Sequence, residues 1–297
     1  MKVVIPAAGL GTRLLPATKE QPKEMLPLFV QTSSGGTCIK PLLQIIFEQL
    51  YKENFRKFCF ITGRTKRSVE DHFTPDFSYL NYLHQRNKHT LAEEMGEFYR
   101  MLEESVIFWV NQPEPRGFGD AVRCASSFIL EDENFLVYAG DNYILSPKNT
   151  YLRKLVKIHE ELKSDATFIV DEVKDPRQYG VMVGEPLDDG VFKVLRVVEK
   201  PEKPPSKMAI HAIYVFNSKI FDSIIDLKPD ASGEIQLTDA IQRLIDRHSK
   251  VHAIKLGSDE VRIDIGDPIS YWNALKLSYS QSPKVKNNLV MKNSTLS

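Results

Sequence analysis

Net charge is the first thing this sequence lacks: 39 Lys and Arg oppose 39 Asp and Glu, for a formal charge of zero at pH 7. A chain without a global positive field has no electrostatic footprint for nucleic acid or an anionic membrane, so any anionic ligand must be held by a local cluster of cations. Cysteine is scarce as well. Cys38, Cys59 and Cys124 are odd in number, far apart and outside any CxxC or Cys/His ligand spacing, which points to reduced thiols in a cytoplasmic chain and away from structural zinc. No apolar run approaches the ~18 residues that cross a bilayer. The early run Val3-Val4-Ile5 stops at Pro6, short of a signal-peptide core. Of the seven histidines, His72, His84, His89, His159, His211, His248 and His252, only His248 and His252 stand at HxxxH spacing and only His159, with Glu161, at HxE spacing; neither match is part of a larger ligand pattern, and no Ser/His/Asp triad stands out. Most of them are expected on helices or at the surface. Internal repeats, including a C-terminal hexapeptide period, are missing too.

What remains is 297 residues, 42% hydrophobic and 26% charged, with modest Gly and Pro counts of 15 and 17. That is an ordinary soluble globular chain, long enough for one large α/β domain or two small ones. Val3 to Ile5, Phe58 to Thr62, Val106 to Val110, Phe135 to Ala139 and Thr167 to Val170 have the composition of buried strands. Between them Pro41 to Asn54, Arg67 to Phe73, Phe118 to Leu130 and Thr150 to Lys163 carry helical spacing. The alternation predicts βαβ crossovers, hence a mainly parallel sheet covered on both faces, with ligands beyond the carboxyl ends of the strands. After residue 175 closer strands, Tyr179 to Val183, Phe192 to Glu199 and Ile210 to Phe216, predict an antiparallel addition. Helices over Ser218 to Ile225 and Ile235 to His248, a strand pair (Val251 to Lys255 and Val261 to Ile265) and a helix from Pro268 to Ser278 complete the expectation. Residues 76–105 interrupt the rhythm with two amphipathic helices whose apolar faces pack on the body or on a second subunit. Residues 281–297 are polar and aperiodic, as in a mobile tail.

Four groups of residues carry chemistry. The first strand runs into Ala8-Gly9-Leu10-Gly11-Thr12-Arg13, and Pro16, Pro22 and Pro27 forbid a long helix after it. The glycines let peptide N–H groups face a phosphate or a base. Leu14 occupies the third glycine position of a dinucleotide fingerprint, which argues against a nicotinamide-dependent oxidoreductase, and no Gly-Lys-Ser/Thr completes a P-loop. Arg13, Lys19 and Lys23 on this loop suit a polyphosphate; a solvated basic loop neutralised by Glu20 and Glu24 is the alternative. Asp141 and Asp264 each end an apolar strand, where two carboxylates near bound phosphates suit Mg²⁺. Each alone reads equally well as a cap or turn residue. Glu199-Lys200-Pro201 at a strand end, with Gly180 heading a neighbouring strand, offers an acceptor for sugar hydroxyls, a cation for phosphate and room for a ring.

Read in order, Pro6-Ala-Ala-Gly-Leu-Gly-Thr-Arg13, Pro22-Lys-Glu-Met-Leu-Pro27, Lys40-Pro-Leu-Leu, Gln112 before Arg116-Gly-Phe-Gly119, Gly140-Asp141, Tyr179-Gly-Val, Glu199-Lys-Pro201, Gly233-Glu-Ile-Gln-Leu-Thr-Asp-Ala240 and Asp264 resemble the bacterial-type UTP–glucose-1-phosphate uridylyltransferases. These UDP-glucose pyrophosphorylases belong to the sugar-phosphate nucleotidyltransferases. The likeness runs from Met1 to about Ser280. It implies an α/β, Rossmann-like, doubly wound, mixed but mainly parallel sheet with a small antiparallel sugar-side subdomain, the nucleotide-diphospho-sugar transferase fold. It also implies a single domain over 1–280, with a nucleotide half to about 145, a sugar half from about 146 and a helical insertion at about 76–105. The implied reaction moves a uridylyl group from UTP to glucose 1-phosphate with Mg²⁺, in a cytoplasmic homo-oligomer that has no nucleic-acid or membrane partner.

By the same resemblance, Ala8, Gly9 and Gly11 hold the nucleotide, and Gln112 and Gly117 read the uracil edge. Arg13 and Lys23 grip the triphosphate as the catalytic cations, Asp141 and Asp264 bind the metal, and Gly180, Glu199 and Lys200 hold the sugar phosphate. Tyr138-Ala-Gly-Asp-Asn142 is closer to the thymidylyltransferase relatives, and Asp264-Ile-Gly-Asp267 departs from the usual Asp-Cys-Gly. A glucose-1-phosphate thymidylyltransferase therefore stands as the alternative, beside a non-catalytic nucleotide-sugar-binding regulatory subunit. Loss of Arg13, Lys23, Asp141 or Asp264 would mark such a subunit; all four are present.

Overall fold

The computed structural model describes residues 1–32 and 35–281. Of the expected tail only Gln281 is among them; 282–297 lie outside the described residues. The chain divides into two compact units, one of Met1–Gly9, Lys57–Arg64 and Ile107–Arg262, the other of Leu10–Arg56, Thr65–Val106 and the chain from Ile263 onward. Among the described residues no helix is long and apolar enough to cross a membrane.

The first unit is built on a nine-stranded sheet in the order Val106–Asn111, Lys57–Thr62, Lys2–Pro6, Asn134–Tyr138, Met208–Asn217, Ala166–Glu172, Val251–Lys255, Val191–Val198, Val181–Asp188. Lys2–Pro6 runs parallel to both neighbours, with Val4 opposite Cys59 and Val137. Runs with no polar alternation, such as Phe135 to Tyr138, are what a strand buried on both faces requires. One face meets helices Phe118–Arg123, Ile220–Ile225 and Leu237–Asp246, whose Val122, Ile224, Ile241 and Leu244 enclose Val4, Val137, Phe168 and Phe216. Helix Thr150–Glu161 packs on Ala166–Glu172. The antiparallel strands expected after residue 175 continue this same sheet, joined at Gly190 by a turn with φ +65°.

Two expectations need correction. The helix expected over Phe118 to Leu130 ends at Arg123, and a short 3₁₀ turn, Ser126–Phe128, follows; the paired serines favour local backbone bonding over continued helix. The strand Val251–Lys255 does not pair with Val261–Asp264. It lies between Ala166–Glu172 and Val191–Val198, and its buried run from Val251 to Ile254 shows why: both faces are covered.

The second unit contains a hairpin where no element is expected, Pro27–Gln31 against Thr37–Pro41. Pro27 is tolerated because it is the first residue of its strand. Helix Pro268–Ser280 lies on it, with Tyr271 Oη donating to the Pro27 carbonyl at 3.1 Å and Phe29 edge-on to Tyr279. The insertion is two helices, Phe77–Gln85 and His89–Glu103. Phe98 packs among Phe47, His72 and Phe73, so one apolar face rests on the unit's own body, while Phe77, Tyr79, Tyr82 and Leu91 stay exposed.

Most histidines lie on helices or at the surface as expected, but His211 and His252 are buried strand residues. His159, on a helix, is also buried, with Nδ1 at 3.0 Å from Thr167 Oγ1. Burial pushes its pKa down from 6.5 to about 4. Below pH 6.5 the unfolded chain binds a proton that the folded ring resists, so stability is lost as pH falls through that window. Urea unfolding between pH 7 and 4 should show the midpoint falling, and His159→Asn, which keeps a partner for Thr167, should reduce the fall without removing it, since buried His211 is shifted down as well.

Candidate active site

In the second unit the glycine-rich turn is shaped by Gly11, whose φ of +65° is left-handed. Thr18 Oγ1 donates to the Gly11 carbonyl at 2.7 Å, and a Cβ on Gly11 would lie 3.3 Å from Thr18 Cβ and 3.5 Å from Lys23 Cβ. The absent side chain thus sets Lys23 against the turn. Arg13 sits in the 3₁₀ turn Thr12–Leu14 and reaches Gly266, where a Cβ would lie 2.9 Å from Arg13 Nη2 and 3.0 Å from Asp264 Oδ1. The Gly266 N–H donates to that carboxylate at 2.8 Å. Arg13 and Asp264 are neighbours because residue 266 has no side chain. Lys66 and Glu24 form an ion pair at 2.8 Å with their side chains 2% and 1% exposed, fixing the turn that carries Lys23. Lys19 lies 3.7 Å from Glu20 Oε1, both at the surface. Of the two acidic residues weighed as neutralising the loop, Glu24 is engaged by Lys66.

In the first unit Ala8 and Gly9 follow strand Lys2–Pro6, with Ala8 buried. Gln112 follows Val106–Asn111. Its amide nitrogen donates to the Gly117 carbonyl at 3.3 Å and to Asp120 Oδ2 at 2.8 Å. Gly117, at φ +102°, stands where a Cβ would lie 2.7 Å from Ile235 N and 2.8 Å from Ile235 O. Backbone bonds from Ile235 to Arg116 and from Gly119 to Ile235 lock that approach. Asp141 follows Asn134–Tyr138 after Gly140, whose N–H donates to the Pro6 carbonyl, so it lies at the carboxyl ends of the central parallel strands.

Also in the first unit, Gly180, Glu199 and Lys200 come together. A Cβ on Gly180 would lie 2.9 Å from Thr238 Oγ1 and 3.0 Å from Glu199 Oε2. Thr238 donates to Glu199 Oε2 at 2.6 Å, and Lys200 Nζ lies 3.3 Å from Glu199 Oε1. Burial and the Glu199 charge raise the Asp239 carboxyl above its ordinary value. Arg262 places its guanidinium 4.5 Å over the Tyr179 ring. Ile235, Thr238, Arg262 and Gly266 were not singled out by sequence; their roles depend on distances between segments far apart in the chain. The run Gly233 to Ala240, quoted above for the resemblance, contains Ile235 and Thr238, and Asp264-Ile-Gly-Asp267 contains Gly266.

The sequence pattern of the nucleotidyl transferase family matches residues 2–281. The chain belongs to this family. It is 36% identical over 292 residues to the UTP–glucose-1-phosphate uridylyltransferase YngB of Bacillus subtilis (strain 168), covering 97% of this chain and 93% of the relative. Among solved structures it is similar to a UTP-bound UGPase from Acinetobacter baumannii, with TM-score 0.82 and 27% identity over 100% of this chain and 99% of that one. It is also similar to a UDP-glucose pyrophosphorylase complexed with UDP-glucose, with TM-score 0.79 and 29% identity over 94% and 98%.

In this nucleotidyl transferase, then, the expected residues fall into sets. Gly11, Arg13, Lys23 and Asp264 lie together in one unit. In the other, Gln112 meets Gly117, Gly180 meets Glu199 and Lys200, and Ala8, Gly9 and Asp141 follow central strands. Lys66→Met should destabilise the nucleotidyl transferase by about 3–5 kcal/mol, because it strands a buried carboxylate; Lys66→Met with Glu24→Leu should recover most of that loss in urea titrations. Gly117→Ala forces a Cβ onto the Ile235 backbone at a positive φ, and should lower the thermal midpoint and weaken nucleotide binding measured by calorimetry.

Proposed function

We propose that this nucleotidyl transferase moves a uridylyl group from UTP to glucose 1-phosphate, giving UDP-glucose and pyrophosphate. The observation that carries the reading is the side-by-side placement of Arg13 and Asp264 at Gly266, with Lys23 against the same glycine turn. A guanidinium, an ammonium and a carboxylate at a backbone-amide cradle suit a triphosphate with its metal. Relatives named for this reaction support the choice of substrates.

The nucleophile needs no activation. A phosphate monoester has a second pKa of about 6 and is mostly a dianion at pH 7. A phosphate oxygen of the sugar attacks the α-phosphorus in line, the new P–O bond forms, and the bond to the pyrophosphate oxygen breaks with its electron pair. The peptide groups of Ala8, Gly9 and Gly11 hold the nucleotide. Gln112, whose amide nitrogen is engaged by Gly117 and Asp120, reads uracil through its carbonyl oxygen, which accepts from the imide N–H. Arg13 and Lys23 stabilise the charge growing on the phosphoryl oxygens and the departing pyrophosphate. Glu199 accepts from sugar hydroxyls, Lys200 meets the sugar phosphate and Gly180 leaves room for the ring.

Asp141 and Asp264 are the ligands we assign to Mg²⁺. The donors are hard carboxylate oxygens. An ion that takes one or two carboxylates and fills its shell with water and substrate phosphates suits such donors. When bound, it supplies charge neutralisation and orientation of the two phosphates. The enzyme acts in the cytoplasm as a homo-oligomer, for which exposed Phe77, Tyr79 and Tyr82 on the insertion helices offer apolar surface.

Pyrophosphate release should require UTP, glucose 1-phosphate and Mg²⁺ together, and stop with chelator. Arg13→Ala or Lys23→Ala should lower kcat by about 10²–10³; turnover equal to the parent removes that residue from the mechanism. A second reading, transfer from dTTP, is favoured by Tyr138-Ala-Gly-Asp-Asn142. One methyl distinguishes the two bases, worth only ~1–3 kcal/mol in a pocket, so UTP against dTTP at fixed sugar decides between them. No pyrophosphate release with either nucleotide would leave a regulatory subunit.

A further inference from the structure

His211 lies in strand Met208–Asn217, where the register against Ala166–Glu172 slips between Ile210 and Tyr214. Its neighbours are tied to two parts of the proposed site. The Ile210 N–H donates to the Gly180 carbonyl at 2.7 Å, and the Ala212 carbonyl accepts from Ala139 N–H at 2.9 Å, two residues before Asp141. The ring is 1% exposed, and among the described residues neither of its nitrogens has a hydrogen-bond partner. Asn142 Oδ1, one turn on from Ala139, is buried without a partner in the same way. Hiding both faces of an imidazole with nothing bonded is unfavourable, and native interiors avoid it unless a ligand or water completes the site.

We propose that His211 is a specificity-determining residue of the hexose 1-phosphate subsite, one ring nitrogen donating to a sugar hydroxyl and the other accepting from one. This rests on the reading of Gly180, Glu199 and Lys200 as the sugar site. The chemistry favours hydroxyl over phosphate. Burial and the Arg262 charge push the His211 pKa down to about 3, so at pH 7 the ring is neutral, with one donor and one acceptor. A phosphate dianion only accepts and would satisfy one nitrogen; hydroxyls both donate and accept, and satisfy two. The Arg262 guanidinium, whose charge reaches His211, stacks 4.5 Å over the half-buried Tyr179 next to Gly180, which ties the ring to the Gly180 end of the proposed sugar site.

The test is steady-state kinetics of the intact enzyme with glucose 1-phosphate and its 2-, 3-, 4- and 6-deoxy analogues, for the parent, His211→Leu and His211→Gln. His211→Leu should raise the KM for glucose 1-phosphate by about 10–100-fold, leave the KM for UTP within about twofold, and abolish the parent's penalty for the analogue lacking the hydroxyl that His211 meets. His211→Gln, which keeps a donor and an acceptor, should restore part of the affinity, and carries the comparison alone if the Leu variant does not fold. A folded variant with the parent's KM and the parent's deoxy-sugar penalties overturns the assignment and makes the ring's partner a trapped water. A parent that releases pyrophosphate with no hexose 1-phosphate overturns instead the reading on which it rests.

Discussion

Two polyanions must meet, and the chain that brings them together has no net charge to help. All attraction therefore has to be local, and the structure concentrates it by leaving side chains out. Without a Cβ at Gly266 the guanidinium of Arg13 and the carboxylate of Asp264 sit beside one another; without one at Gly11, Lys23 closes on the turn. Cations held in advance need not reorganise as charge builds on phosphorus, which is where electrostatic catalysis gains most.

Burial stabilises that arrangement from behind. The Lys66–Glu24 pair is hidden from water, and buried ion pairs contribute little net stability while penalising any structure in which one partner strays. Its value here is positional: Glu24 adjoins Lys23, so the pair sets where the neighbouring ammonium can lie. On the first unit, Ile235 does the same for Gly117 through backbone bonds on either side. Both devices use groups outside the proposed site to hold groups that we place in it.

Much of the central sheet was legible from runs such as Phe135 to Tyr138, whose lack of alternation reports burial on both faces. The glycine turn, Asp141, Asp264 and the Glu199-Lys200 pair each had a bland reading as turn, cap or strand-end ion pair; what singled them out was the order in which their motifs follow one another along the chain. The hairpin at Pro27–Gln31 escaped because prolines on both sides read as loop, and the order of Val251–Lys255 within the sheet is a pairing between distant segments that no local pattern encodes. Lys66 carries no signal in the sequence; its burial against Glu24 distinguishes it. His211 was set aside with the other histidines for want of a motif, and its missing partners are a three-dimensional fact.

In the proposed reaction no side chain gives or takes a proton in the chemical step. The direct test is the pH dependence of kcat/KM for glucose 1-phosphate beside that for a 1-phosphonate analogue with a different second pKa. The acid limb should follow the substrate, lying near pH ~6 for the phosphate and moving with the analogue. A limb that stays at one pH for both substrates would report a titrating group of the enzyme and contradict the account.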